Sequence, residues 1–232
     1  MLAELSAVLE RPDLSTKEEI FRAVSEENIL GKKTASTRKL TAKHLSELYA
    51  LDERVTLFRL LRLFWGAQQE GRPLLASLCA AARDPLLRMT AELILRVEQG
   101  EVITTEKIEN FIRGRAGHRF SEVTLATVAR NVSSSWQQSG HLKGVRIKTR
   151  SRPQVSPTAT AYALLLGYLC GARGAMLFGT FWASLLDVPE HMLREAAREA
   201  AQRGWMNFRA VGDVVEIDFA PVLSRLETES LT

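Results

Sequence analysis

Between Arg113 and Arg152 the chain holds nine Lys/Arg residues, Arg113, Arg115, Arg119, Arg130, Lys143, Arg146, Lys148, Arg150 and Arg152, and one acid, Glu122. Cationic side chains at this density, with almost no carboxylate to neutralise them, are suited to holding a polyanion through its phosphates. Interleaved with them are Thr124, Thr127, Asn131 and Ser134, which lie with Arg130 away from the apolar stripe of a predicted helix. Short hydrogen-bonding side chains beside an arginine suit phosphate and base-edge contacts. From Val145 to Arg150 the sequence alternates, Val145, Ile147 and Thr149 against Arg146, Lys148 and Arg150. That alternation predicts a β-strand with a wholly basic face. A second acid-free cluster comprises Lys32, Lys33, Arg38, Lys39 and Lys43. It surrounds Ser36 and Thr37 at the expected start of a helix, where free backbone N–H groups favour an anion. These two clusters, with Thr127 and Asn131, are the candidate nucleic-acid-binding residues.

The charge is unevenly spread along the 232 residues. Nine cations against one acid give the 113–152 segment +8, whereas the whole chain is +4, so the remainder carries −4. Residues 187–219 show the opposite balance, with four arginines and seven acids. The strand expected at Val214–Phe219 alternates Val215, Ile217 and Phe219 with Glu216 and Asp218, an acidic face that repels phosphate.

Motifs for catalysis are absent from the sequence. There is no Gly-x-x-x-x-Gly-Lys phosphate loop, no His-Glu-x-x-His pair and no Gly-x-Ser-x-Gly elbow. His44, His118, His141 and His191 are scattered, and the acid pairs Glu18–Glu19 and Glu26–Glu27 fit solvated helix faces. Cys79 and Cys170 lie far apart within apolar patterns, which predicts inert buried thiols rather than a zinc site or disulfide. The expectation is a non-enzymatic protein with no cofactor, no metal and no small-molecule substrate. The N-terminal "MLAELSAVLERPD" has acids where a signal peptide carries cations, which predicts a cytoplasmic protein. The run Ala161–Leu186 is almost wholly apolar, but Arg173 sits near its middle among glycines. It predicts two buried helices of about a dozen residues joined near "GARG", since a bilayer span needs about 20 uninterrupted apolar residues.

The elements that must position these side chains read as mostly α. A helical block occupies 1–100, with starts expected at Ser15 (a Ser-x-x-Glu box with Glu18), Ser36, Asp52, Pro73 and Asp84, and stops at Gly31 and Gly100. From 101 to 157 a short helix capped by Thr104 or Thr105 is followed by a longer one capped by Ser121. Leu125, Val128, Val132 and Trp136 form its inner stripe; Gly140 ends it, and a hairpin follows. That is the order of a winged helix-turn-helix. From 158 to 232 the order recurs. A helix runs from Pro189 to Gly204, two β-rich runs are joined by Gly212-Asp213, and a loose tail covers the last ten residues.

"SEENILGKKTASTRKLTAKHL", residues 25–45, resembles the opening motif of the BrxA-like proteins of bacterial bacteriophage-exclusion (BREX) defence systems. The match rests on Glu26, Glu27, Asn28, Lys32, Lys33, Ser36, Thr37 and Arg38. "SEVTLATVARNVSSSWQQSGHLKG" and "REAAREAAQRGWMNFRAVGDVVEIDF" resemble later parts of that family in the same order. The resemblance implies a helical, non-enzymatic accessory protein in phage defence. It further implies binding to DNA, duplex on this reading, and work beside other proteins of the system. Two alternatives stay open: a protein–protein scaffold that uses its winged units for assembly, and a membrane-associated accessory protein.

Overall fold

The computed structural model describes residues 1–67, 69–212 and 214–229, apart from the side chains of His118 and Glu229. The chain is mostly helical, with two small antiparallel sheets. It opens with six helices: α1 (Leu2–Leu9), α2 (Lys17–Ser25), α3 (Ala35–Tyr49), α4 (Thr56–Trp65), α5 (Arg72–Arg83) and α6 (Pro85–Arg96). Polar acceptors cap three of them, α2, α3 and α6, though not always where the sequence suggests. The capping box on α2 is Thr16 with Glu19, one residue beyond Ser15 and Glu18. Thr34, not Ser36, caps α3 and accepts from the Thr37 N–H. Asp52 does not cap α4. It folds back on Arg54, accepting from its backbone N–H and its guanidinium, and α4 starts after Val55. The stops also come early, at Ser25 and Arg96 rather than at Gly31 and Gly100. Helix α5 is apolar on every side and correspondingly buried from Leu74 to Ala81.

The chain then forms β1 (Val102–Ile103), α7 (Thr105–Ala116), a 3-10 turn (Gly117–Arg119), α8 (Glu122–Gln138), β2 (Leu142–Lys143) and β3 (Lys148–Arg150). Thr104 caps α7 and Ser121 caps α8. The three strands pair antiparallel in the order β1-β3-β2, with Leu142 opposite Arg150 and Val102 opposite Thr149. Helix α8 buries Leu125, Ala129, Val132 and Trp136 against α5, α6 and α7. The Trp136 Nε1–H donates to the Thr90 hydroxyl of α6 at 3.0 Å, which satisfies the indole inside an apolar contact.

The last part holds α9 (Pro157–Leu169), a 3-10 segment (Gly174–Gly179), α10 (Phe181–Ser184), α11 (Glu190–Gln202), β4 (Asn207–Val211), β5 (Val214–Asp218) and α12 (Ala220–Glu229). Helix α9 is enclosed by α4, α5, α10 and α11. Among the described residues no helix is long and apolar enough to cross a membrane. The second helix expected within Ala161–Leu186 does not form as one piece. Gly174 turns the chain at φ +55°, where a Cβ would approach the Val215 carbonyl oxygen at 2.7 Å, and Thr180 starts a new one-turn helix. The β4–β5 hairpin forms as expected, with Asp213 outside the described residues. The tail is a helix instead of a loose end, because Val222 and Leu226, four residues apart, both reach the core. Residues 230–232 lie outside the description.

Candidate nucleic-acid interface

Helix α8 and the β2–β3 hairpin bring part of the basic segment together. The hairpin does not carry a strand from Val145 to Arg150; only Lys148–Arg150 is strand, and residues 144–147 form the turn. Gly144 sets that turn, with φ +98° and a would-be Cβ only 2.0 Å from the Ile147 carbonyl oxygen. The alternation therefore fails at both ends. Val145 and Ile147, expected to face inward, are 84% and 69% exposed. Arg150, expected on the basic outer face, is 4% exposed.

Arg150 leaves the set of candidate phosphate contacts for a physical reason. It lies in the central strand of the sheet, where it donates to the His141 and Ser151 carbonyls and forms a 2.7 Å ion pair with Asp187. Beside it, His141 is fully enclosed. Its Nε2 lies 3.0 Å from the Leu185 carbonyl, which can only accept, so Nε2 carries the proton and Nδ1 accepts from the Ser139 hydroxyl at 2.7 Å. Burial, reinforced by the Arg150 charge, pushes its pKa down to about 3. His141 and Arg150 thus tie the three-stranded sheet to the loop after α10.

Three of the cations that remain outside, Arg130, Arg146 and Lys148, line one cleft of about 330 Å³. Ser133 of α8, Thr104 and Thr105 at the start of α7, Val102 and Ile103 of β1, and Val145 and Ile147 of the turn complete its lining. No acid lines it. Among the described residues none of the three cations has an ion-pair partner; Arg130 donates only to the Thr127 hydroxyl at 3.0 Å. Lys148 is half-buried, and desolvation lowers its pKa. An unpaired, partly desolvated ammonium gains when an anion arrives, because the anion favours its charged form.

The other predicted residues divide into three kinds. Arg113 is held by Glu122 at 2.7 Å and Asn110, and Arg115 by Glu92 at 2.6 Å, so both are partly neutralised. Arg119 lies over the Phe120 ring, while Lys143 and Arg152 are exposed. Thr127 and Arg130 ride the outer crest of α8. Asn131 and Ser134 instead line a second cleft of about 560 Å³, between α8, the end of α3 and the start of α6.

The 32–43 cluster is not brought to either cleft. Lys32 pairs with Glu4 at 2.8 Å. Burial would raise the Glu4 pKa, but the Lys32 hydrogen bond and the N-terminal ammonium outweigh it and bring the carboxyl to about 2. Lys43 is 3.8 Å from Glu47. Lys33, Ser36, Thr37 and Lys39 are exposed, and the Arg38 Nε is buried with no hydrogen-bond partner.

Sequence reading missed Thr104, Thr105 and Ser133 as cleft residues, together with the exposed Val145 and Ile147. Gly144 was the available signal, since a glycine four residues after the helix-ending Gly140 marks a tight hairpin turn and places the next residues at its tip. Comparison with protein-family models, with curated proteins and with solved structures gives no match to this chain.

Proposed function

We propose that the protein is a non-catalytic DNA-binding accessory protein of a bacterial bacteriophage-exclusion (BREX) defence system, built around two winged helix-turn-helix units. The observation that carries the DNA reading is the acid-free cleft in which Arg130, Arg146 and Lys148 converge from two elements. The order α6-β1-α7-α8-β2-β3, with its β1-β3-β2 sheet, supports a winged unit in which α8 is offered to a groove and the hairpin is the wing. The order α9-α10-α11-β4-β5 supports a second unit, whose acidic hairpin suits a protein better than phosphate. The motifs at 25–45, 121–144 and 194–219 support the defence-system assignment.

The test is duplex affinity against salt, read by fluorescence anisotropy. Each cation that neutralises a phosphate contributes about −0.9 to the slope of log K against log salt. Arg130→Ala, Arg146→Ala and Lys148→Ala are each expected to weaken binding on any sequence and to flatten that slope by about 1. Unchanged affinity and slope in all three variants would sink the assignment.

A second reading has its own observation. Met176, Val211 and Val214 are exposed in the C-terminal part, where the 3-10 segment packs beside β5. Exposed apolar side chains next to an acidic strand suit a protein partner, such as another component of the same system. Pull-down that is insensitive to nuclease and lost on replacing these three residues by Ser is the expected result.

A further inference from the structure

Val145 and Ile147 are left in water at a hairpin turn, as Val211 and Val214 are at the other, but their surroundings differ. They flank Arg146 in the turn that Gly144 sets, and they stay mostly exposed at the edge of the cleft lined by Arg130 and Lys148. Both are β-branched, so each presents a stiff apolar surface with little rotamer freedom to lose on contact. The charge around them is uniform: Lys143, Arg146 and Lys148 surround the tip, Arg130 faces it across the cleft, and no acid lines that cleft. A protein partner would have to offer an acidic rim around an apolar spot. A DNA duplex offers a continuous anionic rim around stacked, apolar base faces.

We infer that the tip Val145-Arg146-Ile147 is a minor-groove wedge, in which Arg146 enters the groove and the two aliphatic side chains part a base step and kink the duplex. The inference rests on the DNA-binding reading and extends it to the groove entered and the class of DNA preferred. Apolar side chains inserted between base steps kink a duplex by about 20–90° towards the major groove. Arginine favours the strongly negative potential of a narrow, A·T-rich minor groove. The substrate is therefore duplex DNA with an easily unstacked pyrimidine–purine step, such as TA, beside A·T pairs. The strand next to the wedge would run into the 330 Å³ cleft, with a phosphate between Arg130 and Lys148.

The experiment uses the full chain and a 30-base-pair duplex with a central TA step, labelled at its ends for energy transfer and carrying 2-aminopurine at that step. The wild type is expected to bend the duplex and to raise 2-aminopurine emission on binding. Val145→Ala with Ile147→Ala is expected to abolish both signals while leaving the salt slope unchanged, because every cation remains. Val211→Ala with Val214→Ala, at the exposed tip of the acidic hairpin, is the control and is expected to bend DNA as the wild type does. Circular dichroism confirms that both double variants fold. Wild-type binding without bending or unstacking overturns the wedge and leaves the DNA reading standing. No duplex binding by the wild type overturns both. A Val145/Ile147 variant that bends DNA normally but loses self-association in sedimentation assigns the tip to a protein contact and also overturns the wedge.

Discussion

Arg150 and Asp187 form a pair in which loss of one member strands the other. The guanidinium is enclosed and hydrogen-bonded to two carbonyls as well as the carboxylate. Removing it leaves Asp187, itself mostly covered, without its counter-charge. Breaking such a pair costs about 3–5 kcal/mol, whereas truncating an exposed cation changes stability by about 0.5 kcal/mol or less. Arg150→Ala is therefore expected to lose about 3 kcal/mol in urea denaturation, and Arg146→Ala almost nothing. Equal stability of the two variants would show that Arg150 is not a strut. His141, next to it, sets an acid limit. Its pKa falls from the ordinary 6.5 to about 3, so below pH 6.5 the unfolded chain takes up a proton that the folded chain refuses. The stabilisation is complete above pH 6.5 and is lost as pH falls towards 3, by up to about 1.4 kcal/mol per pH unit. Glu4, lowered from 4.5 to about 2, adds its own loss only below pH 4.5. Denaturation between pH 6.5 and 4.5 should then show a clear decline for the wild type and a shallower one for His141→Gln. Parallel declines would disprove the assignment to His141.

At the scale of elements, helix starts were legible where one polar acceptor stands before the helix, as at Asp84 and Ser121, whereas Thr104 and Thr105 left the start of α7 open between them. Where acceptors are adjacent, as in Ser15-Thr16 and Thr34 through Thr37, the sequence alone does not choose between them, and the tertiary path of the incoming loop decides. The hairpin was legible as a hairpin but its faces were not. Period-2 alternation assumes that every residue in the run is strand, and here Gly144 turns half of it into a tip. Nor does local sequence reveal that Asp187, 37 residues on, will meet Arg150. The basic cleft follows the same logic, because its three cations come from two elements that only the tertiary fold brings together. Gly144 is the residue on which the tip depends. Gly144→Ala combines a left-handed φ of +98° with a Cβ placed 2.0 Å from a carbonyl oxygen. It should cost more than about 1 kcal/mol and displace Val145–Ile147. The expected outcome is a DNA affinity as low as that of Arg146→Ala with circular dichroism unchanged; wild-type affinity in this variant would mean that the turn does not set the tip.

At the scale of the whole molecule, the basic and acidic halves have one interior. The buried apolar side chains form a single cluster from Leu5 of α1 to Leu226 of α12. Helix α5 in the first part and α9 in the last pack directly against each other, and both are buried along most of their length. The Arg150–Asp187 pair and the His141–Leu185 hydrogen bond add polar ties between the three-stranded sheet and the C-terminal part. Parts joined by a shared core cannot expose one half without stripping the other of apolar contact, and the free energy of that exposure couples their unfolding. A chain of this length built from separable domains would instead melt in steps. Far-UV circular dichroism reports the twelve α-helices found among the described residues, whereas tryptophan fluorescence reports four sites, Trp65 in α4, Trp136 in α8, Trp182 in α10 and Trp205 before β4. The two signals are expected to give one coincident urea transition. Arg150→Ala, which removes a tie between the parts, should shift that transition as a whole to lower urea without splitting it, because the α5–α9 contact still couples them. A wild-type transition in two steps would show that the basic cleft sits on a unit that folds independently. In that case a ligand of the acidic C-terminal part would not stabilise the part that carries the basic cleft.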